Sequence, residues 1–346
     1  MEQYNLFDII DKNLQEKEQT MGKFEGRLRV FEAFAGVGSQ RMALRNLNID
    51  HEVVGIAEID KHALKSYEAR HGDCPNYGDI SKIDPHELPD MDLFTYSFPC
   101  QDLSNAGRMA GLKNGTRSGL LYECEKIIEA KKPKYLLLEN VKNLVSKRFK
   151  NDFLKWLEYL EGLGYKSYWK VINAKYHGLP QNRERVFAIS ILGGGSYNFP
   201  QDKELCADLK EIIINDAPKE YYKDIKFEGS DKVLKIPQNG PKGYIELPLP
   251  GICDLSYPNS KTRRGRVQGG GKVCPTVMAR PQDIMYIDEN KAVRRLTSIE
   301  YWRLMGFKDS DFYKAQAVCS PAQLDKQAGN SIAVNVLEGI FKNLFL

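Results

Sequence analysis

Apolar positions in the first half of the chain fall into two patterns that alternate. "LRVFEAFAG" is a β-rich run ended by small residues, and "SQRMALRNL" follows it with helical periodicity. "HEVVGIAEID" reads as a second strand and "KHALKSYEARHG" as a second helix. "MDLFTYSFP" predicts a third strand, "SGLLYECEKIIEAKKP" a helix stopped at Pro133, and "KYLLLENV" another buried strand. "NDFLKWLEYLEGLGY" predicts a helix, and "YWKVINA" and "RVFAISIL" two more strands. Strands that are apolar over nearly their whole length, alternating with helices, predict an α/β fold. The sheet should be doubly wound, mostly parallel and covered on both faces.

The pattern breaks near "GGGSYNFPQDKEL" at 193–205. From there to about 290 the chain is rich in Pro, Gly, Lys and Tyr without clean alternation, which predicts a second, smaller, irregular domain. Helical periodicity returns in "TSIEYWRLMGF" and "SIAVNVLEGIFKNLF". The start, "MEQYNLFDIIDKNLQEKEQT", reads as a short amphipathic helix or a frayed arm. It has neither the basic start nor the apolar stretch of a signal peptide.

A length of 346 residues leaves room for a large domain plus a smaller one. The composition, 42% apolar and 28% charged, is ordinary for a globular protein. A net charge of +4 neither proves nor excludes a polyanionic partner, so the distribution of charge matters more than its sum. No run of eighteen apolar residues exists, so no membrane span is expected. The seven cysteines are odd in number, widely spaced and without a C-x-x-C pair. That disfavours a disulfide framework or a metal site, fits a reducing cytoplasm, and makes most of the thiols inert apolar fillers.

Candidate chemistry collects at the ends of the predicted strands. Phe34-Ala35-Gly36-Val37-Gly38 lies between the first strand and its helix, where small residues let backbone amides approach a ligand. Such a turn also occurs merely because it is tight. The second strand ends in "AEID", placing Glu58 about twenty residues on, where an acid can bond ribose hydroxyls. "YGDI" places Asp79 at a third edge position, suited to an exocyclic amine. The glycine pattern is G-x-G-x-x-R, not the G-x-G-x-x-G of a nicotinamide dehydrogenase. Two acids and this turn favour a nucleoside cofactor without a pyrophosphate, and S-adenosylmethionine fits.

Cys100 follows Pro99 directly after a strand and opens a polar, glycine-rich loop carrying Arg108 and Arg117. There a thiolate can be stabilised and a lid can close. The competing reading is a buried structural cysteine. Glu139 ends the next buried strand, where a carboxyl is costly unless hydrogen-bonded, a helix cap being its other reading. "QNRERVF" puts Arg183 and Arg185 on one face of an extended segment. Arg185 abuts an apolar strand; Arg183 could simply be solvated.

"FEAFAGVG", "FPCQDLS", "ENV", "QNRERVF", "RRLTSIEYWRLMGF" and "QAGNSIAVNVLEGI" occur in this order. In this the chain resembles the DNA (cytosine-5)-methyltransferases, of the compact bacterial restriction–modification type. The resemblance covers roughly 30–193 and 292–343. Two positions depart from it: Ser97 stands where many relatives have glycine, and Ile59 where an aromatic is frequent.

The resemblance implies a Rossmann-like, S-adenosylmethionine-dependent fold and methyl transfer to C5 of a cytosine flipped out of a short specific duplex DNA sequence. Cys100 matches the nucleophile that adds to C6, Glu139 the acid that bonds N3 and the exocyclic amine, and Arg185 the arginine that holds O2. Arg183 is a supporting or thiol-side contact. The cofactor pocket is expected to use Phe34, Gly36, Gly38, Glu58, Ile59, Asp79, Pro99, Leu120 and Asn330, with Phe34 stacking on adenine. Asn330 comes from the far end of the chain, so the terminal helix must fold back on the first domain. The division expected is an arm at 1–24, a catalytic domain at 25–193 plus 310–346, a target-recognition domain at 194–290 and a hinge at 291–309. DNA contacts are expected from Gln101, Ser104 and Arg117 after the thiol. In the basic glycine-rich segment they are expected from Arg263, Arg264, Arg266 and Gln268, with Thr276 anchoring the phosphate of the flipped nucleotide. The resemblance implies a bacterial or phage-encoded monomer, nucleoid-associated in the cytoplasm. It leaves room for a cognate restriction endonuclease acting separately. A tRNA cytosine-5 methyltransferase on the same scaffold and a catalytically inert DNA-binding relative remain the alternatives.

Overall fold

The computed structural model describes residues 24–98, 117–204 and 208–346, the side chains of 117 and 118 excepted. The leading elements are β1 (Leu28–Ala33), α1 (Ser39–Asn46), β2 (His51–Ala57), α2 (Lys61–His71), β3 (Leu93–Tyr96) and α3 (Leu121–Lys131). There follow β4 (Tyr135–Val141), α4 (Lys150–Gly162), β5 (Tyr165–Asn173) and β6 (Glu184–Leu192). They build a six-stranded sheet of order β2-β1-β3-β4-β6-β5. β1 pairs parallel with β2 and β3, and β3 with β4. β6 runs antiparallel to both β4 and β5. The mostly parallel doubly wound sheet is thus present, with one strand reversed. The reason is length: residues 174–183 hold only a short 3-10 turn, Ala174–Tyr176, and a parallel return needs a full crossover of a dozen residues or more.

Period-2 alternation divides the sheet into two buried faces. Val30, Leu93, Leu137, Phe187 and Ile189 pack on one side with Met42, Leu44 and Tyr67 from α1 and α2. Phe31, Phe94, Tyr96, Leu136 and Leu138 pack on the other with α3 and α4, through Ile127, Ile128, Phe153 and Trp156.

Beyond the sheet come β7 (Tyr222–Lys223), β8 (Val233–Pro237), β9 (Tyr244–Pro248), β10 (Gly251–Asp254), β11 (Ile284–Ile287) and β12 (Val293–Arg295). They form an antiparallel sheet of order β10-β11-β12-β7 and a β8–β9 pair, over a small core of Leu234, Ile236, Leu247, Cys253, Met285 and Ile287. The region expected to be irregular therefore has its own sheets. Its strands are two to five residues long, too short for periodicity to register against the surrounding Pro, Gly and Lys. Residues 293–295, expected within the hinge, pair with β11.

Four helices close the chain: α5 (Ser298–Leu304), α6 (Asp309–Gln316), α7 (Pro321–Asn330) and α8 (Val334–Phe345). The sequence pattern indicated α5 and α8 but neither α6 nor α7. The last helix folds back as expected, burying Val334, Val336, Leu337, Ile340, Phe341, Leu344 and Phe345. At about 1.5–3 kcal/mol for each large apolar side chain, that makes α8 part of the core. Asn46 Nδ2 donates to Glu338 Oε1 at 2.7 Å, fixing it beside α1.

α6 is held by charge. Arg70, 3% exposed in α2, gives Nη1 to the Val37 carbonyl in the glycine turn. Its Nε lies 3.5 Å from Asp311, and its guanidinium sits over the rings of Trp302 and Phe307 at 5.1 and 4.6 Å. Arg45 Nη2 reaches the same carboxylate at 2.7 and 2.9 Å. Burial pulls Arg70 down to about 10, still charged at neutral pH, so Asp311 is needed there. Removing one partner of a buried pair costs about 3–5 kcal/mol. Asp311→Ala should lower the unfolding free energy from urea titration by that much, whereas Arg45→Ala, whose side chain is 40% exposed, should cost about 1 kcal/mol or less.

Candidate active site

The glycine turn sits at the carboxyl ends of β1 and β2. Phe34, Gly36 and Gly38 all have left-handed φ, 57°, 57° and 76°. A Cβ on Gly38 would lie 2.7 Å from the Tyr67 ring and 2.8 Å from His71 Nε2, so only glycine fits. A Cβ on Gly36 would meet nothing within 4 Å, so that stretch of backbone faces open space. Phe34 N–H donates to Ala57 O at 2.8 Å, bringing the turn to the end of β2. Beside it the Glu58 carboxylate accepts Gly36 N–H at 2.8 Å and Asp60 N–H at 2.7 Å, one on each oxygen. Each oxygen keeps a lone pair for another donor. Burial pushes Glu58 up, against the pull of these amides.

Two apolar side chains flank this acid: Phe34, half-buried, and Ile59, 73% exposed despite its size. Asn76 bridges to Ile56 and extends the sheet edge, so that Asp79 follows at the same end. The Asp79 carboxylate caps a short turn through Ser81, is half-buried beside Lys82 at 3.8 Å, and is held below its usual range chiefly by the Ser81 hydrogen bonds. Leu120 is half-buried at the start of α3, and Asn330 is exposed at the end of α7. α7 is tied to the start of α2 by Lys326–Asp60 at 2.7 Å and by Gln327 Nε2 donating to His62 O at 3.0 Å. An oriented carboxylate, apolar walls and a second acid suit a ribose, a purine ring and its amine.

The second cluster lies across β3, where β4 meets β6. β4 and β6 pair with Glu139 opposite Phe187 and Val141 opposite Arg185. Glu139 and Arg185 are therefore diagonal neighbours on one face. Glu139 is 7% exposed, and its Oε1 lies 3.3 Å from Arg185 Nε. Burial pushes its carboxyl up, opposed by Arg185, Arg183 and a hydrogen bond from Ser97, the residue that replaces the frequent glycine. Asn140, buried next to it, donates Nδ2 to Phe98 O at 3.1 Å and pins the exit of β3 against β4. Pro99, Cys100, Gln101 and Ser104, which follow that exit, lie outside the described residues, as does the side chain of Arg117.

The model of C-5 cytosine-specific DNA methylases matches residues 28–346. The chain belongs to this family. It is a DNA (cytosine-5)-methyltransferase that uses S-adenosylmethionine, and the residues at the β1–β2 edge fit that cofactor. It is 41% identical to the type II methyltransferase M2.ScrFI of Lactococcus lactis subsp. cremoris, across 92% of this chain and 99% of that protein. It is 32% identical to the type II methyltransferase M.NlaX of Neisseria lactamica, across 91% and 96%. In fold it matches the crystal structure of S. pombe Dnmt2 (TM-score 0.65, 19% identity, 92% and 98% covered). It also matches the Entamoeba histolytica methyltransferase EhMeth (TM-score 0.67, 20% identity, 93% and 98% covered).

In this methyltransferase Arg183 is buried, not solvated. Its Nη1 donates to Val277 O at 2.9 Å and its Nη2 to Gly329 O and Ser331 O at 3.1 and 2.6 Å. It therefore ties β6 to the "CPTVMA" segment and to the α7–α8 junction. Gly329 has no side chain because a Cβ would strike the Met278–Ala279 backbone at 2.1–2.2 Å. Gln181 and Asn182 complete the joint. Gln181 Nε2 donates to Leu304 O and its Oε1 accepts Val277 N–H, at 2.8 and 3.0 Å. Asn182 Nδ2 donates to Gln268 Oε1 at 2.7 Å, and Thr276 Oγ1 donates to Asn182 O at 2.5 Å. Gln268 and Thr276, expected at DNA, thus face the first sheet here.

Arg266 differs from expectation. It is 3% exposed and spends its guanidinium on the carbonyls of Asp254, Ser256 and Tyr257 at 2.7, 3.1 and 2.9 Å, so it shapes a loop and reaches no groove. Arg264 is exposed, and Arg263 is half-buried beside Asp254.

Sequence reasoning passed over Glu32, Arg70 and Asn140. Glu32 is buried in β1 and accepts Arg41 N–H at 2.9 Å and the Tyr67 hydroxyl at 2.7 Å, anchoring α1 beneath the glycine turn. The usable signal was a charged or amide residue inside an apolar strand, which must find a partner. The described cysteines Cys124, Cys253 and Cys274 are buried with thiols pushed up by burial, as expected of inert fillers. Among the described residues no helix is long and apolar enough to cross a membrane.

Glu139 carries a testable stability signature. Its native pKa is raised, so its contribution is fully present below its ordinary value of 4.5 and is lost as pH rises through the native value. Glu139→Gln lacks that loss. The variant's melting temperature should therefore gain on wild type as pH climbs from about 4.5 towards neutrality. A gap that stays flat, or runs the other way, would mean the buried carboxyl is not the cause.

Proposed function

We propose that the enzyme methylates a cytosine extruded from a short specific sequence of duplex DNA through a transient bond between Cys100 Sγ and C6. One observation carries this reading: the buried Glu139–Arg185 pair faces the exit of β3, which Asn140 pins two residues before Cys100. A carboxyl and a guanidinium at that spacing match the N3–amine edge and the O2 of one pyrimidine.

In the proposed sequence the Cys100 thiolate adds to C6, and the C5–C6 π pair moves into the ring towards N3 and O2. Glu139 meets that charge with a proton at N3, and its raised pKa favours the proton-bearing form at the moment it is needed. The same carboxyl accepts from the exocyclic amine, and Arg185 donates to O2. The bound S-adenosylmethionine supplies an electrophilic methyl on its sulfonium. C5 takes that methyl as its bond to sulfur breaks and S-adenosylhomocysteine leaves, a base removes the C5 proton, the returning electron pair expels the Cys100 thiolate, and the N3 proton goes back to Glu139. A stacked base is out of reach, which requires flipping. Glu58 and Asp79 serve the ribose and the adenine amine, between Phe34 and Ile59.

Residues 25–193 with 310–346 form the catalytic domain in this reading, 194–290 the target-recognition domain and 291–309 the hinge, with 1–24 an arm. The enzyme acts as a monomer in the cytoplasm on nucleoid DNA, and a cognate restriction endonuclease, where one exists, acts separately.

Bisulfite sequencing of DNA from expressing cells gives the target. A duplex carrying 5-fluorocytosine there should trap a denaturation-resistant adduct with wild type and none with Cys100→Ala. Methyl transfer to transfer RNA but to no duplex DNA would sink the proposal. Glu139→Gln should lower kcat by about 10²–10⁴. Glu58→Ala should weaken S-adenosylmethionine binding, measured by calorimetry without DNA, by roughly ten- to a hundredfold.

A further inference from the structure

One exposed cluster in the second region is built like a reader. β10 ends in Asp254, 2% exposed, whose carboxylate holds the Nη2 end of Arg263. Asp254 N–H donates to Arg266 O at 2.8 Å, and Arg266 returns three bonds to the carbonyls of 254, 256 and 257. Ser256 adds two more: its N–H donates to Asp254 Oδ1 at 2.8 Å, and its Oγ accepts the Asp283 N–H at 2.9 Å. This lattice holds Tyr257 at φ 55°, a conformation that costs an aromatic L-residue about 1–3 kcal/mol. The ring is 49% exposed. Arg263 and Arg280 both lie against it, each guanidinium 5.4 Å from its centroid. Asp254 is one carboxylate among three guanidiniums, and Asp283 is turned to Arg295 at 3.7 Å. The cluster keeps a positive surplus on its solvent side.

A strained aromatic held in water between two cations has no value as core. It is a platform that fixes planar donors. Arg263 is locked on two sides, by the buried carboxylate and by the ring, and among the described residues its guanidinium is engaged only at Nη2. A fork ordered in advance loses little freedom on binding, and its geometry matches O6 and N7 of guanine in the major groove. Arg280 is exposed, among the described residues touches the ring and otherwise only Met278 Sδ at 3.7 Å, and suits a phosphate, which needs charge and little orientation. We infer that Arg263 reads a guanine in the target sequence, oriented by Asp254 and Tyr257, while Arg280 holds the adjacent DNA backbone. This rests on the proposal that the second region meets the DNA.

The test takes the full-length enzyme and the duplex target found for wild type, together with duplexes changed one base pair at a time. Arg263→Ala should lose roughly ten- to a hundredfold of discrimination, in kcat/KM, at one G·C position and keep it at the others. Arg263→Lys, which retains charge without the fork, should behave the same way while melting and binding S-adenosylmethionine like wild type. That separates readout from folding. Arg280→Ala should weaken all duplexes alike and reduce the slope of log Kd against log salt by about one. Unchanged discrimination at every position in both Arg263 variants overturns the inference and leaves the methyltransferase reading intact. Absence of methyl transfer to any duplex by wild type overturns that reading itself, and this inference with it.

Discussion

A carboxyl buried at the end of β4 is the costly element on which the site depends. Left alone, a charge at 7% exposure would neutralise or unfold its surroundings. The reversed strand β6 solves this geometrically. Running against β4, it ends its register with Arg185 opposite Val141, one diagonal step from Glu139. A parallel strand would deliver its opposite end to that edge. The tight return after β5 thus puts the guanidinium where the carboxyl needs it. The pairing is loose, 3.3 Å with burial still dominant, and that leaves the proton available.

A second constraint is that the sheet edge is completed from distant parts of the chain. Arg183, two residues before Arg185, has its fork filled by carbonyls from 277, 329 and 331. The strand that carries Arg185 is therefore bolted at its base to the second region and to the last two helices. Arg70 does the same for the glycine turn, joining Val37 to Asp311, Trp302 and Phe307. Both fasteners are arginines, whose planar, always-charged groups can satisfy several carbonyls or rings at once.

What was legible in the sequence follows the length and periodicity of each element. Strands of the first sheet and helices such as Lys150–Gly162 announce themselves because many positions repeat the pattern. β7 to β12 did not, since a strand like Val293–Arg295 offers three residues and takes its identity from its partners. Glu58, Glu139 and Arg185 were legible as charges ending apolar runs. The fate of Arg183 and Arg266 was not, because a surface guanidinium and one satisfied by backbone carbonyls have the same spelling. Only the fold decides whether three carbonyls converge on such a group.

The joint at Arg183 also sets the order in which a growing chain can mature. Two of its three acceptors, at Gly329 and Ser331, are translated almost last. A fragment that stops at β6 lacks the carbonyls that seat that strand. Strand β6 is thus clasped only once the α7–α8 junction has folded back onto it.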